Sequence, residues 1–165
     1  MAKWIMGKGL NDYIAQLQKI GEDTEDLCGQ VVYEMAAVVA DEVKKNINAL
    51  PAEPDTEALA AYQEKSDPPI TYSQKKGLQE GFGISPMQEE NGYMNVKLGF
   101  DGYNSTKTRK YPKGQPNAMI ARAIESGSSI RKKRPFIRPA VDKAKKKAIE
   151  KGQAVIDERI ESIKK

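Results

Sequence analysis

Apolar positions near the start of the chain recur at the helix period. Leu10, Tyr13, Ile14, Leu17 and Ile20 fall three and four residues apart, which predicts an amphipathic helix capped at Asn11 or Asp12 and ended by Gly21. A longer stripe follows from Asp23 to Ala49. Leu27, Val31, Met35, Val38, Val39, Val43 and Ile47 form it, and Val32, Ala36 and Ala40 widen it. The acids from Asp23 to Asp26 and the Lys44-Lys45 pair suit the two ends of a helix dipole, and Pro51 blocks continuation. This is the expected core helix. Cys28 lies inside it, and free cysteine is usually buried, so a small packing role is expected there.

The pattern then changes. Pro51 to Pro69 is polar and punctuated by proline, which predicts a surface excursion with a short helix at Thr56 to Tyr62 and an extended or turned corner at Asp67-Pro68-Pro69. Ser73 to Glu80 reads as another short helix, closed by Gly81. Phe82 to Met87 alternates imperfectly, and Pro86 marks an edge or a bulge. Asn91-Gly92 is a strong hairpin turn signal. Tyr93 to Phe100 then alternates, with Met94, Val96, Leu98 and Phe100 on one face. Val38 and Val96 are both expected to be buried.

From Gly99 to Pro116 no apolar period remains, so a mobile loop is expected over 101–116. Asn117 to Glu125 predicts a short helix, ended by Ser126-Gly127-Ser128-Ser129. Pro139 suits the first turn of a final helix. Val141, Ala144, Ala148, Val155, Ile160 and Ile163, with Ile156 beside Val155, should form its inner face. Gly152 should weaken it by about 1 kcal/mol relative to alanine. The 165 residues predict one domain. It divides into a helical part (9–50), the excursion (51–70), a helix and hairpin (71–100), the loop (101–116) and a helical, basic end (117–165).

Composition narrows the chemistry. The chain is 39% hydrophobic, 30% charged and 7% aromatic, with no histidine and one cysteine. Ser-His-Asp and Cys-His nucleophiles, an intrachain disulfide and a thiolate zinc site are therefore excluded. No phosphate loop or complete dinucleotide fingerprint occurs, and Glu89-Glu90 sit at a hairpin tip, a poor place for a general acid and base. No catalytic residue, cofactor or metal is expected. No apolar run approaches the roughly 18 residues of a membrane span, and Met1 to Lys8 lack a secretory core, which predicts a cytosolic, reducing compartment and no membrane partner.

Charge changes the picture most. Residues 1–100 sum to −7 and residues 101–165 to +11, within a net charge of +4. Arg131 to Lys147 holds nine Lys and Arg against one acid, Asp142. The candidate contact residues are Arg131, Lys132, Lys133, Arg134, Arg138, Lys143 and Lys146, with Lys107, Arg109 and Lys110 in the loop. Their partner is either the acidic half of an adjacent copy or nucleic-acid phosphate. Stacking aromatics are sparse and no RNA-module signature is present, so sequence-specific readout is not expected.

The order of motifs resembles a known family. Gly9-Leu10 leads into the first helix, and Gly77-Leu78 precedes a hairpin whose second strand ends Val96-Lys97-Leu98-Gly99. Glu125-Ser126-Gly127 then precedes Pro135-Phe136-Ile137-Arg138-Pro139-Ala140. This is similar to the tail-component family named for gene product ten of phage HK97, over about residues 9 to 150. Lys76 stands where that family usually has threonine, and Ser126 where it usually has an aromatic residue. The resemblance implies an α+β fold, a small antiparallel sheet packed against a long central helix with N-terminal and C-terminal helices. It implies a structural, non-enzymatic role in completing the tail and joining it to the head, as a ring around the DNA channel. Its partners would be further copies, neighbouring neck and tail proteins, and phage DNA; its place would be the virion neck, after assembly in the host cytoplasm. The competing readings are a small basic, non-sequence-specific nucleic-acid-binding protein and, third, an enzyme.

Overall fold

The computed structural model describes residues 24–57 and 67–164, together with Gly21, Ala61 and Glu64, and side chains as far as Ser162. The expected helix at residues 10–20 and most of the one at Thr56 to Tyr62 lie outside the described residues; Asp55 to Glu57 are helical. Helix α1 spans Thr24–Ala49. Its C-terminal half carries the deepest residues, Ala40, Val43 and Ile47, while Val31, Met35, Val38 and Val39 are half-buried. Val38 is thus less enclosed than expected, and Cys28 is exposed rather than packed. Cys28 sits one helical step beyond Leu27, off the stripe that meets the rest of the molecule.

Helix α2 spans Tyr72–Gly81. Thr71 begins it with a capping box: its hydroxyl accepts from Gln74 N at 3.0 Å, and Gln74 Oε1 accepts from Thr71 N at 3.3 Å. Strands β1 (Phe82–Ile84), β2 (Gln88–Glu90), β3 (Tyr93–Asn95) and β4 (Leu98–Phe100) make one antiparallel excursion in two paired stretches. Asn91 and Gly92 turn it with φ values of 55° and 79°, the left-handed pair expected of Asn-Gly. The expected continuous strand over residues 93–100 is broken. Opposite Val96-Lys97, Pro86 has no N–H to give, and the Ser85 hydroxyl accepts from Lys97 N at 2.8 Å instead. Val96 lies at this break and is half-buried, not buried.

Helix α3 spans Asn117–Ser126 and helix α4 spans Ile137–Lys164. Helix α4 runs antiparallel along α1, since Asn46 meets the Phe136 carbonyl, Glu42 meets Lys143 and Glu34 meets Lys151 in reverse order. The seam differs from expectation. Ala140, Ala144, Ala148, Gly152 and Val155 are buried, whereas Val141 and Ile160 are exposed. The Ile163 side chain lies outside the described residues. Two helices this close admit small residues between them. A Cβ on Gly152 would stand 2.7 Å from Met35 Sδ, so the weak helix former is also what lets Met35 in.

The core joins Val43, Ile47, Leu50, Ile70, Leu78, Phe82, Ile120, Ile124, Phe136 and Ala140. Phe100 links Phe82 and Phe136, with ring centroids 5.1 and 6.1 Å away. The ends of the 51–70 excursion are tied, because Glu53 accepts from Tyr72 N and donates to the Ile70 carbonyl, both at 2.9 Å. The base of the 101–116 loop is tied as well. Asn104 N donates to the Gln115 carbonyl and Asn117 N to the Gly102 carbonyl, each at 3.0 Å, and Asn104, Gly114 and Gln115 are buried. The anchor is polar, which is why the absence of apolar residues concealed it.

Candidate contact surfaces

The basic segment after α3 is largely used within the chain. Arg131 is 4% exposed. Its guanidinium donates to the carbonyls of Pro68 (3.2 Å) and Pro69 (3.0 Å) and to Gln74 Oε1 (3.2 Å). Gln74, fully buried, also donates to Gln115 Oε1 at 2.9 Å. Arg131 therefore clamps the proline corner, α2 and the loop base together, and it leaves the set of candidate contact residues. A lone arginine in a cationic run gives no sign of this, because its acceptors are carbonyls more than fifty residues away.

Arg134 is half-buried and pairs with Asp67 at 2.9 Å, and Lys132 N donates to the same carboxylate at 2.8 Å. That N–H above all, then the Arg134 charge, holds the Asp67 carboxyl below its ordinary range against the opposing effect of desolvation. Asp67 needs the support, since its φ is 28°, a strained value for a non-glycine residue.

Glu125 ties the end of α3 to the start of α4. Its carboxylate accepts from Phe136 N (2.8 Å), Ile137 N (2.9 Å) and Arg138 N (3.1 Å), and the Arg138 guanidinium stands 3.7 Å away. Desolvation opposes its charge, but the N–H groups of Ile137, Phe136 and Arg138 and the Arg138 charge outweigh it and keep the carboxyl below its ordinary range. Glu125 and Pro135–Ala140, noted separately in the sequence, are therefore two halves of one contact. Gly127 turns the chain between them at φ 80°.

Along α4, Lys143 pairs with Glu42, and Lys146 stands 3.8 Å from Glu150. The Lys143 hydrogen bond first, and the nearby Lys45, hold the Glu42 carboxyl below its ordinary range against desolvation. Lys132, Lys133, Lys145 and Lys147 are exposed and without an ion pair among the described residues. Val141 and Ile149, the latter 55% exposed, flank Lys145 on the outer side of the helix. In the loop, Lys107, Arg109, Lys110 and Lys113 are also exposed and unpaired in the same sense; Lys110 lies 5.5 Å from the Tyr111 ring centroid.

On the hairpin side of α1 an open groove of about 810 Å³ is lined by Met87, Met94, Gly29 and Tyr33, with Glu25, Asp26 and Glu34 on it. The methionines come within 3.6 to 3.8 Å of where a Cβ on Gly29 would be. Nothing in the sequence order brings Met87 and Met94 to Gly29; the hairpin does. Among the described residues, no group of three or more His, Cys, Asp or Glu is placed to hold a metal, and no helix is long and apolar enough to cross a membrane.

The chain belongs to the HK97-gp10-like family, described as "Bacteriophage HK97-gp10, putative tail-component", whose profile matches residues 11–101, more than half of the chain. The match takes in α1, α2 and the hairpin. The loop, α3 and the Glu125 contact lie beyond it. No curated protein and no solved structure matches the chain.

Proposed function

We propose that this tail-component family member is a structural assembly subunit of a tailed-phage or prophage neck. It completes the tail and joins it to the head, as a ring of copies around the DNA channel in the virion. The observation that supports this reading is a pair of unlike faces that the subunit leaves unmatched. One is the acidic groove of Glu25 and Asp26, lined also by Met87 and Met94; the other is the basic, apolar side of α4 around Val141, Lys145 and Ile149. A heterologous ring interface needs two different patches that complement each other on adjacent copies. Here opposite charge and exposed apolar groups occur on both.

Native mass measured over a concentration series tests it. The wild-type chain should associate as concentration rises, and Glu25→Lys with Asp26→Lys should suppress association. Adding Lys145→Glu should restore part of it. In a phage lacking the protein, filled heads and tails should accumulate unjoined. Joined, infectious particles in its absence would end the neck reading.

A further inference from the structure

The loop between β4 and α3 is a second hairpin in form. Its base is the Tyr103–Pro116 bridge, with Asn104, Gly114 and Gln115 buried beneath it. At its tip Thr108 and Tyr111 exchange both backbone hydrogen bonds, at 3.1 and 3.0 Å, and the Thr108 hydroxyl also accepts from Tyr111 N at 3.1 Å. Only Arg109 and Lys110 lie between them, so the fold places these two cations at the apex. Lys107 and Lys113 flank the apex, and no acid occurs between Asp101 and Glu125. The 131–147 segment has Asp67, Glu125 and Glu42 as counter-charges; among the described residues this loop has none.

We propose that the Ser105–Lys113 loop binds the phosphate backbone of double-stranded nucleic acid through Lys107, Arg109, Lys110 and Lys113. Apart from Pro112, the exposed side chains of the loop are cations and hydroxyls, the groups that contact phosphates. An acidic protein surface fits less well, because protein interfaces centre on apolar and aromatic anchors and are depleted of lysine. Lysine on a polyphosphate, in contrast, gains from counterion release. The packed base holds the four charges together before binding, which lowers the ordering cost. Binding is independent of base sequence, since contacts to phosphate carry no sequence information. The inference rests on the loop alone and stands or falls separately from the neck reading.

The test uses the full chain and a short random-sequence duplex DNA, with anisotropy followed through a NaCl titration. The wild-type affinity should fall linearly on a log–log plot against salt. Replacing Lys107, Arg109, Lys110 and Lys113 together by alanine should weaken binding at least tenfold at low salt. It should also flatten the slope by roughly 0.9 for each lost phosphate contact. A control that removes four other unpaired cations, Lys44, Lys132, Lys133 and Lys147, should change affinity no more than about threefold by removing long-range attraction alone. All eight side chains are exposed, so thermal melting should show both variants folded. Equal losses in the two variants would reduce the effect to net charge and overturn the proposal. So would no binding of duplex by the wild type at low salt. A loop variant that keeps its DNA affinity and loses self-association would identify an acidic protein partner instead, and would overturn it too.

Discussion

The two basic regions look alike in the sequence and differ in the fold. Between residues 131 and 138 the three arginines are enclosed or paired, with Lys132 and Lys133 left exposed: Arg131 lies on carbonyls and Gln74, Arg134 on Asp67, and Arg138 beside Glu125. Between residues 107 and 113 the cations stand at the end of a hairpin with no counter-charge among the described residues. The first region closes the fold by joining segments distant in sequence. The second is supported by the fold and adds little to it. Charge density alone does not distinguish them. What does is whether acceptors from elsewhere in the chain arrive at the same place.

Removing one side chain from each region gives the largest contrast. Arg131→Ala should cost on the order of 2–4 kcal/mol, because it takes the guanidinium donor from the Pro68 and Pro69 carbonyls and from Gln74 Oε1, which keeps the Thr71 N–H. Arg109→Ala should fall within about 0.5 kcal/mol of wild type. Urea unfolding of both variants measures the difference, and equal values would erase the distinction. The polar support of the loop comes next. A Cβ on Gly77 would stand 2.5 Å from Asn117 Oδ1 and 2.6 Å from Asn104 Cβ, so Gly77→Ala should cost about 1–3 kcal/mol by overpacking. A neutral or stabilising result would show that the base shifts freely.

Glu125→Gln tests the anchoring of α4 at a smaller scale, with an expected loss of about 1–2 kcal/mol at neutral pH. The acid side sharpens it. The folded carboxyls of Glu125 and Asp67 are held low, so their contribution is complete above the unfolded values of roughly 4.3 and 3.9 and is lost as pH falls through the folded ones. Stability should decline below about pH 4–5, and the Glu125→Gln variant should decline less steeply. The mildest effect is in hydrogen exchange. Asn104 N and Asn117 N, bonded in the loop base, should exchange more slowly than the amides of Lys107, Arg109 and Lys110 at its tip. Uniform fast exchange from Gly102 to Asn117 would show a loop mobile down to its base.

Much of the fold was legible because it is local. The stripe from Leu27 to Ile47 with Pro51 beyond it, the Asn91-Gly92 turn and Pro139 in a first helical turn each declare an element within a few residues. The capping box Thr71-Tyr72-Ser73-Gln74 is equally local and marks the start of α2 at Tyr72, one residue before the Ser73 start that the helix pattern predicts. Misreadings came where a choice of face or partner depended on distant segments. Val141 looked like core because it is apolar, but a close helix pair selects alanine and glycine for its seam, and Val141 faces outward. Val96 looked like core because it alternates, but Pro86 breaks the ladder opposite it.

By itself the sequence determined the order and kind of the helices from α1 to α4 and the place of the hairpin turn, the division of charge between the halves and the absence of histidine chemistry. Each of these is a property of composition or of neighbouring residues. Only the tertiary structure decided that Arg131 is buried while Arg109 is presented, that Glu125 meets the N–H groups of Phe136 to Arg138, and that Met87 and Met94 close over Gly29. Those outcomes depend on where a donor, an acceptor or a small side chain lies across the core. One-dimensional spacing carries no information about contacts made tens of residues apart until packing brings them within hydrogen-bonding range.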